Sequence, residues 1–225
     1  MPGRHQVKNS GGKRKFYGVV VVLIAIIGAA LGYVFLTNPT TQEVIIPLSF
    51  SNQLGSDDAP ITILEFGEYQ CPSCGAFFRN TKAELVAKYV DTGIVKMYFR
   101  DYAYYGPDST SASIAARCAG EQGKYWEFHD FAFSMQGPIN SGWASPENLK
   151  GFAQAIELDT EAFNNCLDSD RYSDEVANSY ADGFRRGVRG TPTFIIIGPD
   201  GREAKLVGAQ PFQAFERIIE SILSR

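Results

Sequence analysis

Histidine occurs only twice and cysteine only four times in 225 residues, and no cysteine precedes position 71. Attachment of a lipid through an N-terminal cysteine is thereby excluded. A tetrahedral zinc site, which commonly takes a second close pair of ligands, is poorly supplied, because His129 is the only histidine in the body of the chain. Basic charge is scarce too: 21 Lys and Arg face 25 Asp and Glu for a net charge of -4. Five of those bases (Arg4, Lys8, Lys13, Arg14 and Lys15) lie in the first 36 residues with no acid among them, which leaves the remainder at -9. So acidic a body lacks the phosphate-neutralising face that nucleic acid requires, and nucleic acid is set aside as a partner. There is no internal repeat and no ligand-spaced acidic loop for calcium. Glycine and proline, at 22 and 11, are too few for a collagen-like or wholly disordered chain, while 16 Phe and 11 Tyr supply a core.

One segment lacks charge altogether. Phe16 to Leu36 is 21 residues of FYGVVVVLIAIIGAALGYVFL, and at about 1.5 Å per residue a helix of that length reaches about 30 Å, the hydrocarbon thickness of a bilayer. Buried core helices are usually shorter and keep a polar side, so residues 16–36 are expected to span a membrane. Gly28, Ala29 and Ala30 resemble a signal-peptidase site, but the apolar run continues through Val34, Phe35 and Leu36, which favours an uncleaved anchor. The basic residues before the span, against none from Thr37 to Ala59, place residues 1–15 in the cytoplasm and the body outside. Gly28 and Gly32 form a small-residue pair, weak grounds for helix association, and a monomeric anchor is preferred. Residues 37–58, with Pro39 and Pro47, read as a tether in which Val44 to Ile46 is at most an edge strand. The folded body is expected over 59–225.

All four cysteines, Cys71, Cys74, Cys118 and Cys166, fall in that body, and three pairings are conceivable. Cys71-Pro72-Ser73-Cys74 has the spacing of a redox dithiol and of a zinc half-site. Its surroundings favour the former. Ile61 to Phe66 (ITILEF) is apolar on both faces, as a central strand requires, and AFFRNTKAELVAKYV after it is amphipathic, with Pro72 where a helix tolerates a missing amide hydrogen. Cys71 is therefore expected where a strand hands over to a helix. Unpaired amides and the helix dipole there stabilise a thiolate on an exposed Cys71, with Cys74 a turn further in and less exposed. Glu65, on the strand face shared by Ile61 and Ile63 and six residues before Cys71, stands where an apolar side chain is called for. A buried carboxyl there has a raised pKa and suits proton exchange with the dithiol. Glu68, nearer the turn, reads as surface.

Ile94 to Phe99 is a second strand. Between Tyr105 and Gly183 the pattern is helical, with helices over Ser109 to Ala119, Tyr125 to Met135, from Ser145-Pro146-Glu147 onward, Thr160 to Leu167 and Tyr172 to Phe184. Trp126, Phe128, Phe131 and Phe133 make an aromatic helix stripe, which reads as core rather than a cofactor box, and His129 reads as packed or surface rather than as a ligand. No cofactor is expected. Gly190-Thr191-Pro192-Thr193 leads into Phe194 to Ile197, which with a turn at Gly198-Pro199-Asp200-Gly201 and Glu203 to Val207 makes a hairpin, and Pro211 to Leu223 is a closing amphipathic helix. The order describes an α/β sandwich interrupted by one helical insertion, about 105–184.

Taken together, ILEFGEYQCPSCGAFF, AARCAGEQGKYWEFHDFAF and GVRGTPTFIIIG resemble the DsbA-like thiol-disulfide oxidoreductases, particularly their membrane-anchored branch, over about Asp58 to Arg225. The resemblance implies a thioredoxin fold with an inserted α-helical subdomain, Cys71 as nucleophile with Cys74 as its partner, Glu65 as the buried acid, and a cis peptide between Thr191 and Pro192 facing the dithiol. A proline opening a strand is more often trans, so the cis expectation rests on the resemblance. Thr191 is expected to offer backbone hydrogen bonds to an extended substrate segment. The implied activity is disulfide formation in reduced or unfolded secreted proteins, with a quinone-linked membrane protein as reoxidising partner. Cys118 and Cys166, outside any C-x-x-C turn, are expected to form a structural disulfide, as relatives with both cysteines look similar. Ser73 departs from the strongest oxidants of the family, which carry His before the second Cys, and Thr191 also occurs in reductase and isomerase relatives. A membrane-tethered reductase or isomerase therefore stands as the alternative, and a non-enzymatic metal- or protein-binding module ranks lower because it gives the dithiol and the Thr-Pro pair no role.

Overall fold

The computed structural model describes residues 52–224. Five strands, β1 (Gln53–Leu54), β2 (Ile61–Gly67), β3 (Val95–Asp101), β4 (Thr193–Ile197) and β5 (Glu203–Val207), make one sheet in the order β1-β3-β2-β4-β5. β2 and β3 are parallel, with Ile61 opposite Val95 and Gly67 opposite Asp101, and the other pairs are antiparallel. A parallel pair needs a crossover. It is supplied by α1, residues 72–90, which is α-helical over Pro72–Phe77 and Ala83–Leu85 and π-helical over Phe78–Lys82 and Val86–Val90. β2 lies second from neither edge, and its continuous apolar run is explained by burial on both faces.

One face of the sheet presents Ile61, Ile63, Val95, Met97, Phe194 and Ile196 to Phe77, Leu85 and Tyr89 of α1 and to Phe212, Phe215 and Ile219 of α7 (Phe212–Leu223). The Phe77, Phe194 and Phe215 rings meet at centroid distances of 4.5–5.6 Å, within the range of favourable aromatic pairs. On the other face Leu64, Phe66, Tyr98 and Ile195 pack with Tyr102 and Val188. Gly183 is required there: a Cβ on it would stand 2.7 Å from Phe66 and 2.8 Å from Tyr102.

Between β3 and β4 come α2 (Pro107–Gly120), α3 (Tyr125–Ser134), α4 (Pro146–Ala155), α5 (Thr160–Asp168) and α6 (Ser173–Arg185). Ser145 and Asp159 cap α4 and α5 by accepting from the amides of Asn148 and Ala162. The helices enclose an apolar cluster with Phe128, Phe133, Leu149 and Phe163 buried in it, and Phe99 of β3 with Tyr69, Cys71 and Cys74 at the start of α1 belong to the same cluster. Trp126 and Phe131 pack against this cluster, so the aromatic stripe is core. A disulfide between Cys118 on α2 and Cys166 on α5, 48 positions apart, crosses the cluster.

Two expectations meet the structure differently. The stretch 37–58 was expected as tether, yet Gln53–Leu54 pairs with β3 and Asn52 donates from Nδ2 to the Phe99 carbonyl at 2.9 Å, so the sheet begins before residue 59. A two-residue strand shows no alternation for a sequence to reveal. The expected span 16–36, together with residues 1–15 and the Val44 to Ile46 strand, lies outside the described residues. Among the described residues no helix is long and apolar enough to cross a membrane.

Candidate functional site at the start of helix α1

β2 ends at Gly67, and the chain turns through Glu68, Tyr69 and Gln70 to Cys71, whose amide donates to the Glu68 carbonyl at 3.0 Å. Cys71 is the extended residue that caps α1, with φ -72° and ψ 118°, and Pro72 follows at the first helical position. The Cys71 carbonyl accepts the first helical bond, from the Gly75 amide at 3.1 Å. Cys74 falls inside the first turn. Both cysteines carry free thiols and both are buried, Cys71 at 4% exposure and Cys74 at 0%. The expected exposure of Cys71 is thus not found. The Thr191–Pro192 loop lies over it, with the Cys71 sulfur 3.4 Å from the Thr191 carbonyl oxygen, to which it donates when protonated.

The two thiols differ sharply. A hydrogen bond from the Cys74 thiol brings Cys71 down to about 5, with Thr191 and the backbone amides of Cys74 and Ser73 helping and burial opposing. Burial pushes Cys74 well up, and the neighbouring Cys71 pushes it further. The arrangement holds one proton between two sulfurs, with the thiolate on Cys71 and the thiol on Cys74.

The Thr191–Pro192 peptide is cis. The Pro192 carbonyl accepts from the Gly208 amide at 2.7 Å, which joins the loop to the end of β5. The Thr191 hydroxyl lies 3.2 Å from the hydroxyl of Tyr104, in the loop after β3.

Glu65 is 2% exposed on the strand face of Ile61 and Ile63, opposite Phe99 and Phe194, and its Oε2 is buried without a hydrogen-bond partner. Burial raises its pKa to about 8; the positive charge of Lys82 works against this and the negative charge of Asp130 adds to it. Lys82 Nζ is paired with Asp130 Oδ1, which also meets His129 Nδ1 at 2.7 Å. His129 is fully enclosed by the rings of Tyr69, Phe99, Phe133 and Trp126, and burial lowers it to about 4, so it is neutral packing.

Glu68, expected at the surface, is 1% exposed. Its carboxylate accepts from the amides of Gln70 and Tyr104, each at 2.9 Å, and so ties the turn before Cys71 to the loop after β3. Burial raises its pKa and those two bonds lower it. A carboxylate whose partners are backbone amides of a loop leaves no periodic trace in sequence. Lys82 does leave one: Cys74, Phe78 and Lys82 stand four apart along α1, which puts a cation on the buried stripe. Tyr104 and Gln136, which also reach the redox turn, carry no such signal.

Residues 51–221 match the family model described as Thioredoxin. Disulfide bond formation protein D of Bacillus subtilis is 28% identical over 146 residues, covering 64% of this chain and 66% of that protein, a little under two thirds of its length. A probable disulfide bond formation protein D of Bacillus anthracis is 25% identical over 195 residues, 84% of this chain and 90% of that one. Among solved structures, oxidised BdbD of Bacillus subtilis superposes with a TM-score of 0.69 at 26% identity, covering 78% of this chain and 94% of that one. A five-stranded sheet with an inserted helical subdomain, a dithiol at the start of α1 and these matches lead to one conclusion: the chain belongs to the thioredoxin family, on its DsbA-like side.

Proposed function

We propose that the protein is an extracytoplasmic thiol-disulfide oxidoreductase that introduces disulfide bonds into reduced secreted or surface proteins through Cys71 and Cys74. The observation that carries this reading is the asymmetry of the pair, a thiol held down to about 5 beside one pushed well up by burial. A substrate thiolate attacks Cys71 Sγ of the oxidised pair, the Cys71–Cys74 bond breaks, and the electron pair leaves on Cys74. Cys74, whose thiolate is disfavoured by burial, takes a proton, and the carboxyl of Glu65, protonated at neutral pH with a pKa of about 8, is the group suited to give it. The second substrate thiolate then attacks the substrate sulfur of the mixed disulfide, and Cys71 leaves as a thiolate. Two substrate thiols are oxidised to one disulfide and the enzyme pair is reduced. Thr191 and Pro192 flank the attacked sulfur and offer backbone groups to an extended substrate.

In this reading residues 16–36 hold the body at the outer face of a membrane, and a quinone-linked membrane protein takes the electrons away. Cys118 and Cys166 are a structural pair outside the exchange.

The test is trapping. Cys74→Ser, whose Cys71 thiolate attacks a two-cysteine peptide supplied as its disulfide and displaces one peptide thiolate, should accumulate a mixed disulfide visible by mass, and Cys71→Ser should form none. Equal trapping by either variant would contradict the assignment of Cys71 as the attacked sulfur.

A further inference from the structure

Gln136 lies in the segment after α3, outside the redox turn, and is half-buried. Its side-chain amide nitrogen donates to two backbone carbonyls of that turn, Tyr69 at 2.7 Å and Cys71 at 2.9 Å. One NH₂ group has two hydrogens, so both are used, and the two acceptors fix which end of the amide faces the turn. The oxygen end lies 3.5 Å from Arg79 Nη1 on α1. It also lies against Gly75: a Cβ there would stand 2.0 Å from Gln136 Oε1 and 2.8 Å from its Cδ. Gln136 thus joins the helical insert to the backbone of the redox turn, and the glycine after Cys74 is the space that side chain occupies.

We infer that Gln136 is a positioning residue for disulfide exchange, clamping the Tyr69 and Cys71 carbonyls so that Cys71 stays in its extended capping conformation with its sulfur over the Ser73 and Cys74 amides. The Cys71 carbonyl that it binds is the one that accepts the first bond of α1. Without Gln136 that carbonyl is held by the Gly75 amide alone, so ψ of Cys71 is less restrained and the sulfur's alignment with the helix start loosens. The other groups facing Cys71 are Cys74 on α1, Tyr104 from the loop after β3 and Thr191 from the loop before β4. None of them binds the two carbonyls that Gln136 binds.

This inference rests on Cys71 and Cys74 being the exchanging pair, so the full chain is assayed first for oxidation of a reduced two-cysteine peptide. No exchange by the unaltered protein would sink that reading. Given exchange, thiolate absorbance of the reduced protein is titrated for Gln136→Ala and for the near-isosteric Gln136→Met, with melting temperatures alongside. Either variant should titrate Cys71 about one pH unit higher, a tenfold smaller thiolate fraction at a pH below the midpoint. Gly75→Ala, which must push the amide away, should do the same, and Gly75→Ala/Gln136→Ala should be no worse than either single change. Unchanged Cys71 titration in a folded Gln136→Met protein, with or without a lower melting temperature, would overturn the inference. So would additive effects of the two sites.

Discussion

Cys71 and Glu65 are shifted in opposite directions, and each shift is also a statement about stability. The Cys71 thiol ordinarily titrates at 9.0 and here at about 5. A lowered acid stabilises the folded reduced protein fully above pH 9, and that contribution fades as the pH falls through about 5. The oxidised protein has no thiol to gain from it, so the shift favours the reduced state at neutral pH, which is the direction the proposed donation of a disulfide requires. Glu65 runs the other way. Its folded pKa of about 8 lies above the ordinary 4.5, so stability is fully present below pH 4.5 and is lost as pH rises towards 8. Glu65→Gln should therefore melt higher than the unaltered protein at pH 8, with the gap closing towards pH 4.5, as followed by thermal melts across pH. A gap of constant size at all pH values would mean that Glu65 does not titrate as a buried acid. Glu65 is legible in sequence because a carboxylate interrupts an apolar strand face. Gln136 and Tyr104 are not, because they reach their partners across 65 and 87 positions respectively, and no local pattern encodes such contacts.

At the scale of elements, the parts with a period are the parts that can be read. β2, β3 and the β4–β5 hairpin are apolar or alternating runs closed by turn residues; Gly201, at φ 77°, occupies the left-handed position of the hairpin turn. The expected helices of the insertion reappear as α2 to α6 with ends shifted by a residue or two. The two π-helical stretches of α1 keep an amphipathic pattern that does not distinguish them from α-helix. β1 is too short to carry a pattern at all, and only its pairing with β3 defines it. The Cys118–Cys166 disulfide joins α2 and α5 inside the apolar cluster of the insert. Closing a loop of 48 positions limits the unfolded chain, and the chain-entropy model gives about 4 kcal/mol. Cys118→Ala/Cys166→Ala should lose stability of that order in denaturant melts while exchange with a reduced peptide stays within about twofold, because the groups that set the two thiols are Cys71, Cys74, Ser73, Thr191, Glu65 and Glu68. Loss of exchange with stability intact would make this pair a second redox centre.

For the whole molecule, the sheet and the helical insert meet at the dithiol. β2 delivers Cys71, the loop before β4 lies over it, and the loop after β3 reaches Thr191 through Tyr104. The acidic balance of -9 beyond residue 36 gives the body no attraction of its own to an anionic membrane surface. In the proposed arrangement, residues 16–36 therefore do the anchoring. Ser73 in place of a histidine removes one stabiliser of the Cys71 thiolate, yet the amides, Cys74 and Thr191 still bring it to about 5. The central claim is the direction of electron flow, and the reduction potential of the Cys71–Cys74 pair tests it most directly, measured on the full chain in detergent by equilibration with glutathione. On a scale where the strong oxidant of this fold lies near about -120 mV and thioredoxin near about -270 mV, the account predicts a value above about -170 mV. A value below about -230 mV would contradict it and make the protein a reductase.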